Sequence, residues 1–577
     1  MRTPPVPGPR LAAALAAALL AAHVAVVLDQ AGRQSAAYDE PYYAPSGWAL
    51  LAGGQRGMNP EHPPAVKLWL GASLLGAGLP DPRTIPGFAR ADQWTFGPHV
   101  LYRSGVAPER LLLRARAAVA LLSALLGLGV FLAARRAFGP LAGLLALALY
   151  VVDPLVVANA GLATLDLGAA ASIFGAVALA WLALDTGKAR HVAAAGALAG
   201  LALASKGTGL AVLPVLPLLA VAPMARAGGP SPGEIRGRLL RLAGVAAAGA
   251  VALWLVTLPA GGLPAWAAAL RLQRAHAATG HATYALGMHA MQCWAWWFPF
   301  AWSVKTPVPV LAATGAGAVL VAARARRRPE VAAAVLATPA VLLAAAMASG
   351  ICNGVRQLLP ATPFLAVAGG AALAAAWRTV AGRIAASAAL AWAAAALWLV
   401  HPTAIAYANE LAGGPPRLWR LLTDSNVDWG QELPQLAETL RGVPVRRLWL
   451  DYFGTAWPPA SGIDRFRKVQ DHRFRAGAVL AAPRLDGPDP DGRELLAVSA
   501  TCLVDAYVAE PDLHGWLRAR TPWAWAGHGI AVYDVTGDAE AYRQLARMAE
   551  RMKDPVTAAE AAARAAEIEA ARPAPAP

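Results

Sequence analysis

Eleven apolar runs divide the first 400 residues and leave little room there for a water-soluble core. They cover residues 11–28, 112–134, 138–158, 164–184, 191–205, 208–223, 242–260, 300–323, 331–349, 357–377 and 383–400. An α-helix rises 1.5 Å per residue, so about 20 apolar residues cross the ~30 Å hydrocarbon of a bilayer. Composition agrees: 57% of the 577 residues are hydrophobic and only 15% are charged, whereas a soluble domain carries about 25% charged residues. The expected fold class is a polytopic α-helical membrane protein with about 11 transmembrane helices. The first run follows Arg2 and Arg10 and is interrupted only by His23. It reads as a retained helix rather than as a cleaved signal, being long for a signal-peptide core.

The formal net charge of +15 raises nucleic acid as a partner. The placement of the bases answers otherwise. With the N-terminus inside, Arg135–Arg136, Lys188 with Arg190, the 226–241 loop, the 324–328 cluster and Arg378 with Arg383 all fall on the inner side. The short opposite connectors, at 159–163, 206–207 and 350–356, carry at most one base each. That is the positive-inside asymmetry of membrane proteins, and nucleic acid is dropped. The same count places Asp39, Glu40 and everything after about residue 401 outside.

The organisation expected is a membrane domain over 1–401, an outer α/β domain over 402–540, and a helical hairpin with a disordered tail over 541–577. Within the membrane domain, outer loop 29–111 holds two apolar stretches too short to span, at about 41–53 and 65–79. They read as interfacial helices. A second long outer loop covers 261–298. In the outer domain "VRRLWLDYFG", "ELLAVSATCLV" and "GIAVYDV" read as strands, and "WGQELPQLAETLRG" reads as a helix. The chain then predicts two helices broken near Asp554–Pro555. Three cysteines, Cys293, Cys352 and Cys502, form neither a disulfide framework nor a metal-ligand spacing.

Unusual polar residues gather at the outer ends of the runs: Asp39 and Glu40; Glu61, His62 and Lys67; Asp153 and Asp166; Lys206; Arg271, Arg274, His276, His281 and His289; Lys305; and Arg356. Charge near membrane depth is costly, and such a collection asks for a functional explanation. Each residue alone has a plainer reading. The acids are solvated after a span, and the lysines snorkel to the interface. The three loop histidines match no tight metal motif. "DSNVDWGQE" at 424–432 is similar to a calcium loop in its spaced acids, but Trp429 stands where that loop needs glycine and Gln435 where it needs glutamate. It reads as a turn with Asn426 or Asp428 as cap. Taken together, acids and bases on one membrane face suit transfer from a lipid-linked phosphate. A carboxylate takes the acceptor's proton, cations hold the leaving phosphate, and an apolar groove takes a polyprenyl tail.

Seven stretches in order carry a resemblance: Asp39–Glu40, "EHPPAVK", "LATLDLG", "SKGTGL", "SVKTPVP", "GVRQLLP", and "HPTAIAYANELAGGP" running into "DSNVDWGQEL". The chain resembles the polyprenyl-phosphate-dependent glycosyltransferases of the GT-C class. Its likeness is to the bacterial branch related to protein O-mannosyltransferases and, further off, to the aminoarabinose transferases. The resemblance implies transfer of a monosaccharide from a polyprenyl-phosphate sugar to a hydroxyl of a protein, lipid or cell-envelope polymer, with inversion; the richness in Ala, Arg and Pro points to a GC-rich bacterial genome and hence a bacterial cytoplasmic membrane. It implies Asp39 as catalytic base with Glu40 beside it. Lys67, Arg356, Lys206 and Lys305 are then candidates for the donor phosphate, and Glu61, His62, Asp166, Arg271 and Arg274 support the site. It implies no required cofactor, with a divalent metal left open. The outer α/β domain departs from the fungal and animal enzymes of the class, so the acceptor is not carried over. Two alternatives stand beside this reading: a transporter or flippase of lipid-linked sugars, and a membrane-anchored binding protein.

Overall fold

The computed structural model describes residues 8–226, 229–469, 490–507 and 512–571. The chain is a polytopic α-helical membrane protein with a small C-terminal α/β domain. Among the described residues, eight helices are long and apolar enough to cross a membrane, or nine if one bent pair is a single span. All eleven apolar runs are helical, but two form helices too short to pass, Ala189–Leu203 and Val308–Ala323. The second is short because Pro307, with no N–H to donate, separates it from the helix Trp297–Lys305. The bent pair, Pro140–Val151 and Pro154–Ala160, turns by 65°. There Pro154 breaks the backbone ladder, and the Asp153 carboxylate accepts from the Leu155 N–H at 2.9 Å. Large apolar side chains such as Val319, Ile384, Trp398 and Leu399 are exposed along the helices, as a lipid-facing surface requires.

The outer loop forms the two expected short helices, Glu40–Gly53 and Pro64–Ser73, and an unexpected third, Gln93–Arg103, which Asp92 caps. The first two cross at a glycine pair. A Cβ on Gly47 would sit 1.8 Å from the Lys67 carbonyl oxygen, and one on Gly71 would sit 2.2 Å from the Gly47 carbonyl carbon. Only glycine permits that approach.

Among the described residues, the C-terminal domain holds a five-stranded mixed sheet in the order Arg467–Lys468, Val445–Asp451, Arg493–Ser499, Ile530–Asp534, Ala524–Ala526. The first three strands run parallel and the last two antiparallel to their neighbours. Leu495, Ala497 and Val498 of the central strand are completely buried. The helices Ala539–Arg551 and Pro555–Ala570 form the expected hairpin and pack on one side, with Tyr542 edge-on to Trp449. The tail expected to be disordered, 572–577, lies outside the described residues. Cys293 and Cys352 are joined by a disulfide across 59 residues, with Cα atoms 5.2 Å apart. The odd cysteine count hid this bridge.

The domain is sewn to the first outer loop. Ser35 N–H donates to the Gln431 carbonyl at 3.1 Å, and Tyr38 N–H donates to the Trp429 carbonyl at 2.9 Å. Ser35 Oγ donates to the Gly430 carbonyl at 2.8 Å, and Thr455 Oγ1 donates to the Tyr38 carbonyl at 2.8 Å. Residues 35–38, just before Asp39, are thus laid along residues 429–431.

Candidate active site

Asp39 occupies the N-cap position of the helix Glu40–Gly53, yet its carboxylate makes no capping bond. It accepts instead from Tyr43 Oη at 3.0 Å, one helical turn on. It also faces Arg356 Nη2 at 3.9 Å, with 24% of its side chain still exposed. Burial pushes its pKa up, against the pull of Arg356 and of the Tyr43 hydrogen bond.

Arg356 is the hub. Its Nη1 donates to Asp166 Oδ2 at 3.0 Å and its Nε donates to Ser425 Oγ at 3.0 Å. Its guanidinium stands 4.1 Å from the centroid of the Trp429 ring, a cation–π contact that leaves the planar fork oriented. Lys206 Nζ reaches the other oxygen of Asp166 at 2.5 Å. One carboxylate thus holds two cations, and Lys206 keeps 18% of its side chain exposed. Asp424 adds a third acid. It adopts a left-handed backbone with φ +57° and accepts from Tyr507 Oη; a non-glycine residue in that region stores backbone strain of order 1–3 kcal/mol.

His62 joins through Tyr43, whose Oη lies 3.4 Å from Nε2. Burial and the charges of Lys67 and Lys206 push its imidazole down to about 3, so it is neutral at ordinary pH. Gln273 Nε2 donates to the Glu61 carbonyl at 2.9 Å and lies 3.3 Å from His62 Nδ1. Glu61 Oε1 accepts from Asn59 at 2.8 Å and from Gln93 at 3.0 Å.

The sequence therefore brought together Asp39, His62, Asp166, Lys206 and Arg356. Other expectations meet a different setting. Glu40 is 2% exposed and fully engaged. It takes a bidentate pair from Arg116 at 2.8 and 2.6 Å, and the N–H groups of Ala37 and Ala163 at 2.8 and 2.6 Å. It fixes the turn that presents Asp39. Lys305 is also buried, donating to the carbonyls of Ile405 at 2.6 Å and Asn426 at 2.5 Å. It braces the 424–426 turn. Lys67 donates to the Asn59 carbonyl at 2.5 Å, and burial lowers its pKa to about 8 against the pull of Glu61. It borders a cavity of about 120 Å³ with Ser46, His62 and Trp266. Arg271 and Arg274 lie exposed on the helix Gly262–Thr279, where Gln273 between them turns to the site.

Sequence reasoning missed Arg116, Tyr43, Gln273, Ser425, Trp429, Asp424 and Tyr507 as contributors. Arg116 had a signal: it is a base inside the run 112–134. Tyr43 had one in its spacing of four from Asp39 on a helix. The loop histidines do not converge. His276 and His281 meet edge to face, while His289 bonds the Val504 carbonyl at 2.7 Å. Among the described residues no group of three or more His, Cys, Asp or Glu side chains could hold a metal.

Residues 111–233 match the family described as dolichyl-phosphate-mannose-protein mannosyltransferase. No curated protein sequence matches the chain. Among solved structures, it is similar to ArnT from Cupriavidus metallidurans bound to undecaprenyl phosphate. That match has 15% identity and a TM-score of 0.46, over 90% of this chain and 98% of that one. The apo form of the same protein gives 14% identity and a TM-score of 0.48, over 90% and 97%. The Archaeoglobus fulgidus oligosaccharyltransferase tethered with an acceptor peptide gives 13% identity and a TM-score of 0.41, over 85% and 70%.

Proposed function

We propose that the protein transfers a monosaccharide from a polyprenyl-phosphate sugar to an acceptor hydroxyl at the outer face of the membrane. The observation that carries this reading is the partly exposed Asp39 carboxylate set opposite Arg356, which Asp166 couples to Lys206. A base and an anion clamp face each other across one site. The matched family's description names a polyprenol-type phosphate sugar as donor. The disulfide Cys293–Cys352 supports an oxidising outer side for that face. The inner arginine clusters support an N-terminus inside.

In this mechanism Asp39 takes the proton of the acceptor hydroxyl. The oxygen bonds to the anomeric carbon as the bond from that carbon to the phosphate oxygen breaks. A single displacement inverts the centre. Polyprenyl phosphate leaves with its charge held by Arg356 and Lys206, whose fixed positions favour developing charge without reorganisation. The cavity bordered by Lys67 and Trp266 is where the first isoprene units would lie.

Asp39→Asn keeps the shape and removes the base. Such a group contributes about 10²–10⁴-fold. The variant is expected to retain polyprenyl phosphate in native mass spectrometry while losing at least a hundredfold in its release from a panel of polyprenyl-phosphate monosaccharides. Near-normal release would sink the assignment of Asp39. Loss of carrier retention in the wild type would sink the donor class.

A further inference from the structure

A cleft of about 640 Å³ opens on the outer domain, beside the 3₁₀ turn Pro415–Arg420 and the strand Ala524–Ala526. Its size falls within the ~300–1,000 Å³ typical of small-molecule sites. None of its lining belongs to the Asp39 cluster. Arg417, Arg420, Arg518 and Arg520 line it with Trp419 and Trp525, and among the described residues no carboxylate does.

The four cations differ in what they are free to do. Arg518 is committed: it donates to the Leu503 carbonyl and to Asp505, each at 2.8 Å, and pairs with Asp512. Arg520 donates to Asp538 at 2.6 Å. These two form fixed walls. Among the described residues, Arg417 and Arg420 have no carboxylate within ion-pair distance and are exposed. They are nevertheless oriented. The Arg417 stem covers Gly413, where an added Cβ would come within 2.6 Å of Cδ. The Arg420 guanidinium lies 5.0 Å from the Trp419 ring centroid. The Trp419 and Trp525 rings are 6.1 Å apart and tilted by 31°.

We propose that this cleft binds an acidic saccharide, with its carboxylate or phosphate on Arg417 and Arg420 and a sugar face against the exposed part of Trp525. Guanidinium forks match planar or tetrahedral oxyanions bidentately. The indole face offers apolar contact to the C–H side of a pyranose. A free inorganic anion would use the arginines alone, and a neutral sugar the indole alone. Along the chain the cleft adjoins the cluster around Asp39. Arg420 precedes Asp424 by four residues, at most about 14 Å of extended chain. Tyr284 Oη donates to the Arg420 carbonyl at 3.2 Å, and Leu286 N–H donates to the Leu421 carbonyl at 3.1 Å. As the seat of an acceptor chain the cleft rests on the transferase reading above; as a saccharide site it does not.

The test is isothermal titration calorimetry of the full-length protein in phosphatidylcholine nanodiscs, with tetragalacturonate, maltotetraose and inorganic phosphate as probes. Tetragalacturonate is expected to bind at least tenfold more tightly than either other probe. Arg417→Gln with Arg420→Gln is expected to lose at least tenfold of that affinity with unchanged thermal unfolding. Equal affinity in wild type and double variant overturns the proposal. So does phosphate binding as tightly as tetragalacturonate, which makes the cleft an ion site only, or equally tight maltotetraose. Nanodiscs doped with a sialic-acid ganglioside separate the sources. Competition with tetragalacturonate assigns the cleft to lipid-borne headgroups, and none assigns it to free chains. Asp39→Asn runs beside these. Retained saccharide binding in a variant without transfer keeps the cleft and the catalytic reading distinct. Saccharide binding by a wild type that uses no polyprenyl-phosphate donor would remove the transferase reading alone.

Discussion

At the scale of single residues, Asp39 is defined by what surrounds it more than by what it is. Burial raises its pKa, and the Tyr43 hydrogen bond and Arg356 pull it back. As the proposed general base, Asp39 works ionised, so activity is expected to fall as pH drops through that pKa. Tyr43→Phe removes a bond to the ionised form, which moves the pKa further up. The acid limb of the kcat/KM profile is therefore expected to shift to higher pH in Tyr43→Phe, with the alkaline plateau little changed. An unshifted limb would mean that the limb reports another group. Much of this site was legible in the chain itself. Asp39, Asp166, Lys206 and Arg356 stood out because charges at the ends of apolar runs are rare. What was not legible is which neighbour each charge finds. Glu40 and Asp39 are adjacent and chemically alike. Only the fold turns one to Arg116 and the other to the open side, because a helix start sends successive side chains in different directions. Lys305 and Lys206 likewise read alike until one is seen capped by two carbonyls.

At the scale of elements, the crossing of Glu40–Gly53 over Pro64–Ser73 carries the first half of the site. Gly47→Ala would place a methyl group inside contact distance of the Lys67 backbone, an overpacking that costs about 3 kcal/mol. It is expected to lower the thermal midpoint and to cut activity by separating Tyr43 from His62. Gly32→Ala is the matched control, since nothing lies within 4 Å of its Cβ position. Equal midpoints for the two variants would show that the crossing yields. The interfacial helices were readable as apolar stretches too short to span. Their crossing point was not, because a glycine in a loop of many glycines gives no sign of which one touches a carbonyl. Eight or nine of the eleven expected spans are long and apolar enough to cross among the described residues, for a related reason. Proline and a capping aspartate at 153–154 and a proline at 307 bend or divide apolar runs without changing their hydropathy.

At the scale of the whole molecule, the outer domain holds its own reserve of buried charge. His514 lies between Asp451 at 2.7 Å and Asp505 at 2.6 Å. Despite burial, the bonds to those acids raise its pKa to about 9. Burial raises Asp428 to about 7 and Glu432 to about 8. In each case the folded state binds protons more tightly than the unfolded one. The stabilisation from His514 is complete below its ordinary value near 6.5 and is lost as pH rises through about 9; the two acids lose theirs between about 4 and 8. The thermal midpoint is therefore expected to fall from pH 6 to pH 9, and Glu432→Gln with His514→Gln to flatten that slope. A midpoint constant over that range would contradict the folded-state values. One more consequence lies in the hydrogen bonds that lay residues 35–38 along residues 429–431. The two strips are made about 400 residues apart, which at 5–20 residues per second is roughly 20–80 s of synthesis. Arg356 and its Trp429 face arrive in the last part of that interval. Throughout it the nascent chain stands in a membrane with its Asp39 present but unsupported, so the proposed site cannot assemble before about three quarters of the chain has been made.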